Sequence, residues 1–393
     1  MTKKILILGG SHSEIPLIKA CQNLGYFVIT TGNNIDGLGH KTADKYIPCD
    51  YSDKKKILEI AKNEQIDAII SGCNDFALLT ASFAGEKLGL LGHDALETSL
   101  ILHIKDKYRT LAKKLGIKTP EFMKFNKNDN TDNILKVLSF PVLVKPVDLS
   151  GGKGIKKCEN KQDLEKAINL ALEKTKENYI LIEEFISGTN HGFSAFIKNK
   201  KVVFYFVDNE QYYLNKYLVS GASTTTDIPQ NVINKLIQDC EKIADNLNLV
   251  DGLLHTQIII DENNEPVIIE ITRRTPGDLY IKLVEFATGI NYSELIVRAE
   301  LNLPLPKINF VKPKYNLVRH CVMGNKEGVL KEVKIADKIK DKIKHSLFWY
   351  KKGDIITDEL TYKAGIVFIY FDKENEMNCT IPKLNDLITI EVE

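Results

Sequence analysis

FPVLVKPVDLSGGKG, residues Phe140 to Gly154, joins a short apolar run to a glycine-rich loop through a single lysine. Val142 to Val144 is a buried-strand pattern, and Pro141 stands at its start, where a strand tolerates proline. Lys145 closes the run, although burying an ammonium group without a partner is costly. The loop Asp148-Leu-Ser150-Gly151-Gly152-Lys153-Gly154 follows directly. Its glycines let the backbone curl until successive N–H groups converge on an anion. No GK[ST] opens a helix after it, so this is not a Walker A loop; Ile155 instead begins another strand. The pattern predicts a β-hairpin flap. Alone, such a flap would be a surface hairpin; with Lys145 just upstream, it reads as a cover over phosphate groups.

Three further segments flank it in order. Upstream, IKDKYRTLAKKLGIKTPEF (104–122) opens a helix at Asp106-Lys107 and ends it near Gly116, with Pro120 beyond. Downstream, YILIEEFI (179–186) is an apolar strand with Glu183 and Glu184 near its end, followed by Phe185 and Ile186. A flat apolar slot with a few placed backbone groups is what selects a base. Last, GLLHTQIIID (252–261) turns at Asn263-Asn264 into PVIIEITRR (266–274), closed by Thr275-Pro-Gly277-Asp278. A hairpin of that period puts Gln257, Glu270 and Thr272 towards one face.

The remaining chain sets limits. At 393 residues, two or three domains are expected. Lys plus Arg number 53 against 52 acids, so no global field recruits nucleic acid or an anionic membrane. The basic stretch Lys334 to Lys344 reads as a solvated helix face. The opening KKILILGG lacks the long apolar core of a signal peptide, and no run is long enough to suggest a membrane span. Seven cysteines, with no CxxC pair, argue against a disulfide framework or zinc knuckle and for a cytoplasmic protein with reduced thiols.

Residues 1–101 alternate strands (Ile5–Leu8, Tyr26–Thr30, Ala68–Ile70) with helices (Glu14–Leu24, Lys54–Asn63). This predicts a doubly wound parallel sheet whose ligand sits beyond the carboxyl ends of its strands. Those ends carry Ser11 and His12, Asn33, and Asn74 and Asp75; Ser13 and Asn74 also qualify as N-caps. The first turn reads GGSHSE rather than GxGxxG, which weighs against a dinucleotide site. The segment 279–302 reads as two scaffold helices punctuated by Gly289. Residues 303–393, after Leu303-Pro-Leu-Pro306, are rich in short β-like runs such as AGIVFIY (364–370).

In this order and spacing the four segments resemble the ATP-grasp superfamily, over nearly the whole chain. The resemblance implies an N-terminal pre-ATP-grasp domain (1–101), an ATP-grasp domain (102–302) with its lid at 120–185, and a small β-rich C-terminal domain (303–393) like that of biotin-carboxylase-like members, closing one side of the substrate cleft. It implies ATP with Mg²⁺, or Mn²⁺ in its place. Lys107 and Lys145 would neutralise phosphate charge, and Ser150, Gly151, Gly152, Lys153 and Gly154 would close over the γ-phosphate. Glu183, Glu184, Phe185 and Ile186 would frame the adenine, and His191 stands near where many members hold the ribose with a glutamate. Glu270 matches the metal-binding acid; Gln257 stands where a second acid is common and Thr272 where asparagine is common. Arg274 matches the arginine that meets the transferring phosphoryl group or acyl phosphate, whereas Arg273 faces the other way, towards an ion pair or the edge of the substrate pocket. Ser223, in the run SGASTTT, joins the strand-end residues as a candidate for that pocket.

The implied activity is a carboxylate–amine ligase: a small carboxylate becomes an acyl phosphate and an amine displaces phosphate. A homodimer is usual among similar enzymes. The alternatives are a purine-biosynthesis-type synthetase, a phosphotransferase that stops at the phosphorylated product, and a nucleotide-binding protein without turnover. No Ser/His/Asp or Cys/His arrangement suggests a protein nucleophile.

Overall fold

The structure is a computed structural model that describes residues 2–149 and 151–393. The N-terminal unit is a parallel sheet in the order β3-β2-β1-β4, from β1 (Lys4–Leu8), β2 (Phe27–Gly32), β3 (Lys45–Pro48) and β4 (Ala68–Ser71). Ile5, Leu6, Ile7 and Leu8 are all fully buried, as expected of a central parallel strand covered by helices on both faces. The helices Ile15–Asn23 and Lys54–Glu64 follow the predicted alternation, the second capped by the Asp53 side chain. Asn74 caps the helix Asp75–Leu88 by accepting from the Phe76 N–H. Ser13 does not cap; its Oγ accepts from the Asp278 N–H at 2.8 Å, so it ties the first turn to a segment far along the chain.

A second sheet, in the order β5-β8-β6-β7, is antiparallel: β5 (Phe122–Asn126), β6 (Val142–Pro146), β7 (Lys156–Cys158) and β8 (Tyr179–Glu184). Val142, Val144, Ile180 and Ile182 face the helix Lys161–Lys174 and form a core of their own. Residues one out of step with these, Leu143, Lys145, Leu181 and Glu183, face the other way.

The largest sheet has eight strands, β13-β12-β9-β10-β11-β14-β18-β16. It comprises β9 (Gly188–Lys198), β10 (Lys201–Tyr212), β11 (Val219–Thr224), β12 (Gly252–Asp261), β13 (Pro266–Thr272), β14 (Asn316–Val322), β16 (Ile343–Phe348) and β18 (Gly365–Phe371). One face packs on the helices Tyr280–Thr288 and Tyr292–Glu300, separated by Gly289, and the other on Gln230–Asn246.

The C-terminal region is β-rich, as expected, and includes a small antiparallel sheet. β14, β16 and β18 extend the central sheet, and only β15 (Gly328–Ile335), β17 (Ile355–Ile356) and β19 (Ile388–Val392) form a separate three-stranded sheet. The Lys334–Lys344 stretch is not a helix face. Lys334 ends β15, a single four-residue turn of helix follows, and β16 begins at Ile343. Charge density alone carries no period, so the sequence could not separate a basic strand pair from a basic helix. Among the described residues no helix is long and apolar enough to cross a membrane.

Candidate active site

The strand register of β6 and β8 builds the first part of the site. Leu143 pairs with Glu183 and Lys145 with Leu181, so Lys145 and Glu183 are diagonal neighbours on the face turned away from the lid's own core. Their side chains form an ion pair, and Arg109 Nη2 reaches the other Glu183 oxygen at 2.5 Å. All three are buried: Lys145 is 5% exposed, Glu183 1% and Arg109 0%. Burial pushes the Lys145 ammonium below its ordinary pKa, an effect that Glu183 opposes and the Arg109 charge reinforces. Burial would raise Glu183, but Arg109 and Lys145 together override it and hold the carboxyl below its usual range. Two cations thus share one carboxylate, and the cluster carries a net positive charge facing the cleft.

The helix Lys105–Lys114 supplies the next pair. Lys105 and Arg109, four residues apart, share a face of this helix. Lys105 pairs with Glu270 of β13, while Lys107, two residues on, points elsewhere and pairs with Glu97 at 3.1 Å near the surface. The cation brought to the cluster from this helix is therefore Lys105, not the predicted Lys107; the helical period separates the two by more than half a turn.

Glu270 lies directly opposite Gln257 across β12 and β13, as the hairpin period predicted. Burial alone would raise Glu270, but Lys105 beside it holds it below the usual carboxylate range. Gln257 donates its amide N–H to Glu210 Oε1 at 2.9 Å, which leaves its carbonyl oxygen free. Glu210, on β10, was not identified from the sequence. Gly192 stands between the two strands in this row, and a Cβ there would lie 2.6 Å from Asp208 Oδ2, so only glycine lets the flanking side chains meet over it. Thr272 Oγ1 accepts from the Arg274 N–H at 3.2 Å. Among the described residues no group of three or more His, Cys, Asp or Glu is arranged to hold a metal. An ionised carboxylate and an amide oxygen on facing strands are nonetheless hard oxygen donors of the kind Mg²⁺ takes when phosphate oxygens and water complete its shell.

The far end of the cleft is assembled from all three parts of the chain. Arg274 donates Nε to Asp75 Oδ1 at 2.9 Å and Nη2 to Oδ2 at 3.2 Å, a two-toothed pair linking the central sheet to the N-terminal unit. Burial would raise Asp75, but Arg274 overrides it and holds the carboxyl well below the usual range. Asp278 accepts from Lys363 Nζ at 2.5 Å and lies 3.9 Å from Arg319 Nη1 and 3.7 Å from His12 Nε2. His12 stacks on Trp349, with ring centroids 3.9 Å apart and planes 13° from parallel. Arg319, Lys363 and Trp349 carried no motif that the sequence could flag, since they lie in different segments and meet Asp278 and His12 only in the fold.

The other predicted residues are placed as follows. Gly151, Gly152 and Gly154 turn the β6–β7 hairpin with φ of 67°, 71° and 76°, and a Cβ on Gly152 would lie 2.6 Å from Tyr217, so the loop seats against the segment before β11. Lys153 is exposed; Ser150 falls outside the described residues. Glu184 and Phe185 spend their N–H groups on Glu121 and Pro141 within the lid, and Lys157 covers the Phe185 ring at 4.1 Å. Ile186 is half-buried, and its N–H makes no hydrogen bond among the described residues. Glu183 is the counter-charge of Lys145.

His191 belongs to the row next to Gly192, so it points to the sheet face opposite Gln257 and accepts or donates at Thr189 Oγ1, 2.7 Å away. It is therefore not turned to the face that carries Gln257 and Glu270. Ser223 is fully buried and accepts from Gln211 Nε2 at 3.0 Å rather than facing the cleft. Arg273 is neither at the surface nor in the pocket: it is 8% exposed and bonds Asp94 Oδ2 at 2.7 Å and the Leu253 carbonyl at 2.6 Å, bracing the sheet against residue 94. Ser11 N–H and Oγ both donate to Glu14 Oε2, whose partner oxygen accepts from the Cys73 N–H; this carboxylate fastens two strand-end loops together. Asn33 is exposed beyond β2.

Residues 111–299 match the family model described as D-ala D-ala ligase C-terminus. Formate-dependent phosphoribosylglycinamide formyltransferase of Prochlorococcus marinus (strain NATL2A) is 27% identical over 311 residues, covering 78% of each chain. Among solved structures, an L-amino acid ligase from Bacillus licheniformis superposes with a TM-score of 0.82 at 18% identity, covering 100% of this chain and 99% of that one. Phosphoribosylglycinamide synthetase from Anaerococcus prevotii gives 0.77 at 23%, covering 100% of both. Through the matched segment 111–299 and these relatives, the chain is similar to ATP-grasp ligases.

Proposed function

We propose that this protein is an ATP- and Mg²⁺-dependent carboxylate–amine ligase in which the lid cluster holds the nucleotide and the Asp278 region holds the carboxylate. The carrying observation is the surplus of positive charge in two buried clusters, which the proposal takes as the two ends of one site. Lys145, Arg109 and Lys105 meet only Glu183 and Glu270 at one end, and Lys363 and Arg319 meet only Asp278 at the other.

Lys145 and Lys105 neutralise phosphate oxygens, and Gly151 to Gly154 close over the γ-phosphate. The free Ile186 N–H meets the adenine edge. Mg²⁺, when bound through Glu270 and the Gln257 oxygen, supplies charge that lowers the cost of bringing an anionic nucleophile to the phosphate. Arg319 and Lys363 orient the substrate carboxylate, and one of its oxygens attacks the γ-phosphorus as the bond to ADP breaks. Arg274, fixed by Asp75, faces the charge that develops on the transferred group. The amine nitrogen then attacks the acyl carbon, the carbon–oxygen bond to phosphate breaks, and the amine loses one proton. No covalent help from the protein is required, because positioning and charge neutralisation dominate phosphoryl transfer.

Phosphate release from MgATP across a panel of carboxylic acids, each with and without an amine pool, tests this directly. Release that needs both partners and disappears in Glu270→Ala is expected. Release with acid alone, or a stable phosphorylated product, would instead establish a phosphotransferase.

A further inference from the structure

Arg319 and His320 are neighbours on β14 and so point to opposite faces of the central sheet. Arg319 goes to Asp278; His320 turns to the other face and lines a cavity of about 290 Å³ between β10, β11 and the C-terminal segment 381–386. In the strand register Gln211 lies opposite Gly221 and Gly221 opposite His320, so the three share a face with the glycine in the middle. A Cβ on Gly221 would stand 2.8 Å from Gln211 Oε1, so the glycine is what lets the carboxamide lie over that position.

The orientation of that carboxamide is fixed. Gln211 Nε2 donates to the Asn209 carbonyl at 2.7 Å and to Ser223 Oγ at 3.0 Å, which leaves Oε1 on the remaining side. Among the described residues Gln211 Oε1, His320 Nε2 and Asn385 Oδ1 are buried without a hydrogen-bond partner, and His320 is only 5% exposed. Buried polar groups are nearly always bonded, so three orphans around one cavity call for a ligand. The charge of the lining says which kind. It includes no lysine or arginine, while Asp386 stands exposed at its edge. Burial, reinforced by Arg319, pushes His320 down to about 4, so its ring is neutral near pH 7. The wall therefore offers acceptors and lacks cations, and Pro382, Leu384 and Tyr213 supply an apolar side.

We propose that this cavity is a second small-molecule site, on the face of the sheet opposite the Arg319–Asp278 cluster, for a compact ligand that carries an amino group on a short apolar body. The amino N–H groups meet Gln211 Oε1, Asn385 Oδ1 and the Asp386 carboxylate. This goes beyond the ligase reading and does not depend on it.

The test is calorimetric titration of the full chain, saturated with Mg²⁺ and a non-hydrolysable ATP analogue so that the nucleotide cleft is filled. The probes are n-butylamine, 2-phenylethylamine and tyramine, each beside the acid of matching length (pentanoate, 3-phenylpropionate and 3-(4-hydroxyphenyl)propionate). At least one amine is expected to bind one-to-one, roughly tenfold or more tighter than its acid. Gly221→Ala, which pushes on the Gln211 amide, and Asn385→Leu, at a half-buried position outside the sheet, should each weaken it by a similar factor. Lys54→Ala, on an N-terminal helix away from both sites, should leave it unchanged. Absence of amine binding, equal binding of the acids, binding that survives both cavity variants, or binding lost in Lys54→Ala would each overturn the proposal.

Discussion

The two ends of the cleft are built in opposite ways. At the proposed nucleotide end, Lys145 and Glu183 lie on adjacent strands of one four-stranded sheet, and their pairing follows from register alone. At the substrate end, Asp75, Arg274, Asp278, Arg319, Lys363 and His12 come from five separate stretches of chain and meet only because three parts of the molecule close on one another. The first arrangement is local and survives variation elsewhere. The second can be retuned by changing one segment, which is what a change of substrate demands while the nucleotide stays the same.

The largest expected effect breaks the nucleotide end. Lys145→Met leaves Arg109 to satisfy Glu183 but removes the buried cation on the strand that leads into the loop Gly151–Gly154. Phosphate release should fall by about 10²–10³. Arg109→Met should do less to turnover and more to folding, since it removes the fully buried partner. Comparable losses of turnover from both variants, at unchanged thermal stability, would mean that the cluster does not divide its roles in this way.

The adjacent arginines Arg273 and Arg274 sharpen the comparison. Arg273→Ala strands Asp94 in the interior and should cost roughly 3–5 kcal/mol of stability, read from denaturant unfolding. The protein that remains folded should turn over at a near-normal rate. Arg274→Ala should show the reverse: kcat lower by about 10² with a smaller change in stability, because Asp75 is partly exposed and keeps His103 at 3.8 Å. A common phenotype would end the distinction between brace and site residue.

How much of this was legible depends on the distance along the chain over which a signal is written. The lid hairpin, the β12–β13 pair and the parallel N-terminal sheet were legible, because alternation and glycine placement act within a few residues. The Lys105/Lys107 assignment failed over two residues, because a motif gives spacing but not which helical face meets the sheet. His191 was named for its place after Gly188, and a position in a motif did not say that it lies one step out of register with Gly192, on the other face from Gln257. Arg319 and Lys363 could not be read at all. A single basic residue looks alike in sequence whether its partner is solvent or an aspartate forty-one or eighty-five residues away.

A smaller effect should appear in the pH dependence of stability, and it belongs to the scaffold rather than to either end. Burial raises Glu300 to about 7 and Asp208 to about 8, the latter helped by the neighbouring Glu210. A carboxyl whose folded pKa lies above its unfolded value binds its proton more tightly when folded. Stability is therefore greatest below the unfolded pKa, falls as pH rises towards the folded one, and levels off above it. Glu300→Gln should flatten the thermal-stability profile between about pH 4.5 and 7, by no more than about 3 kcal/mol in total. An unchanged slope would place the titration elsewhere.

The smallest expected effect concerns Glu210, which lies between the two ends. It accepts from Gln257 Nε2 through one oxygen and from the Tyr212 hydroxyl, at 2.5 Å, through the other. The first contact decides which way the Gln257 amide points, and so whether an oxygen or a nitrogen is turned towards Glu270. An acid on β10 thereby does at one remove what an acid on β12 would do directly. Glu210→Leu frees the amide to rotate, and Mn²⁺ affinity in the presence of nucleotide, followed by electron paramagnetic resonance, should drop by about 10-fold. Gln257→Glu in that background replaces the orienting contact with a ligand and should restore binding. If the double variant stays as weak as Glu210→Leu, the carboxylate acts on the fold of β10 and not on the orientation of Gln257.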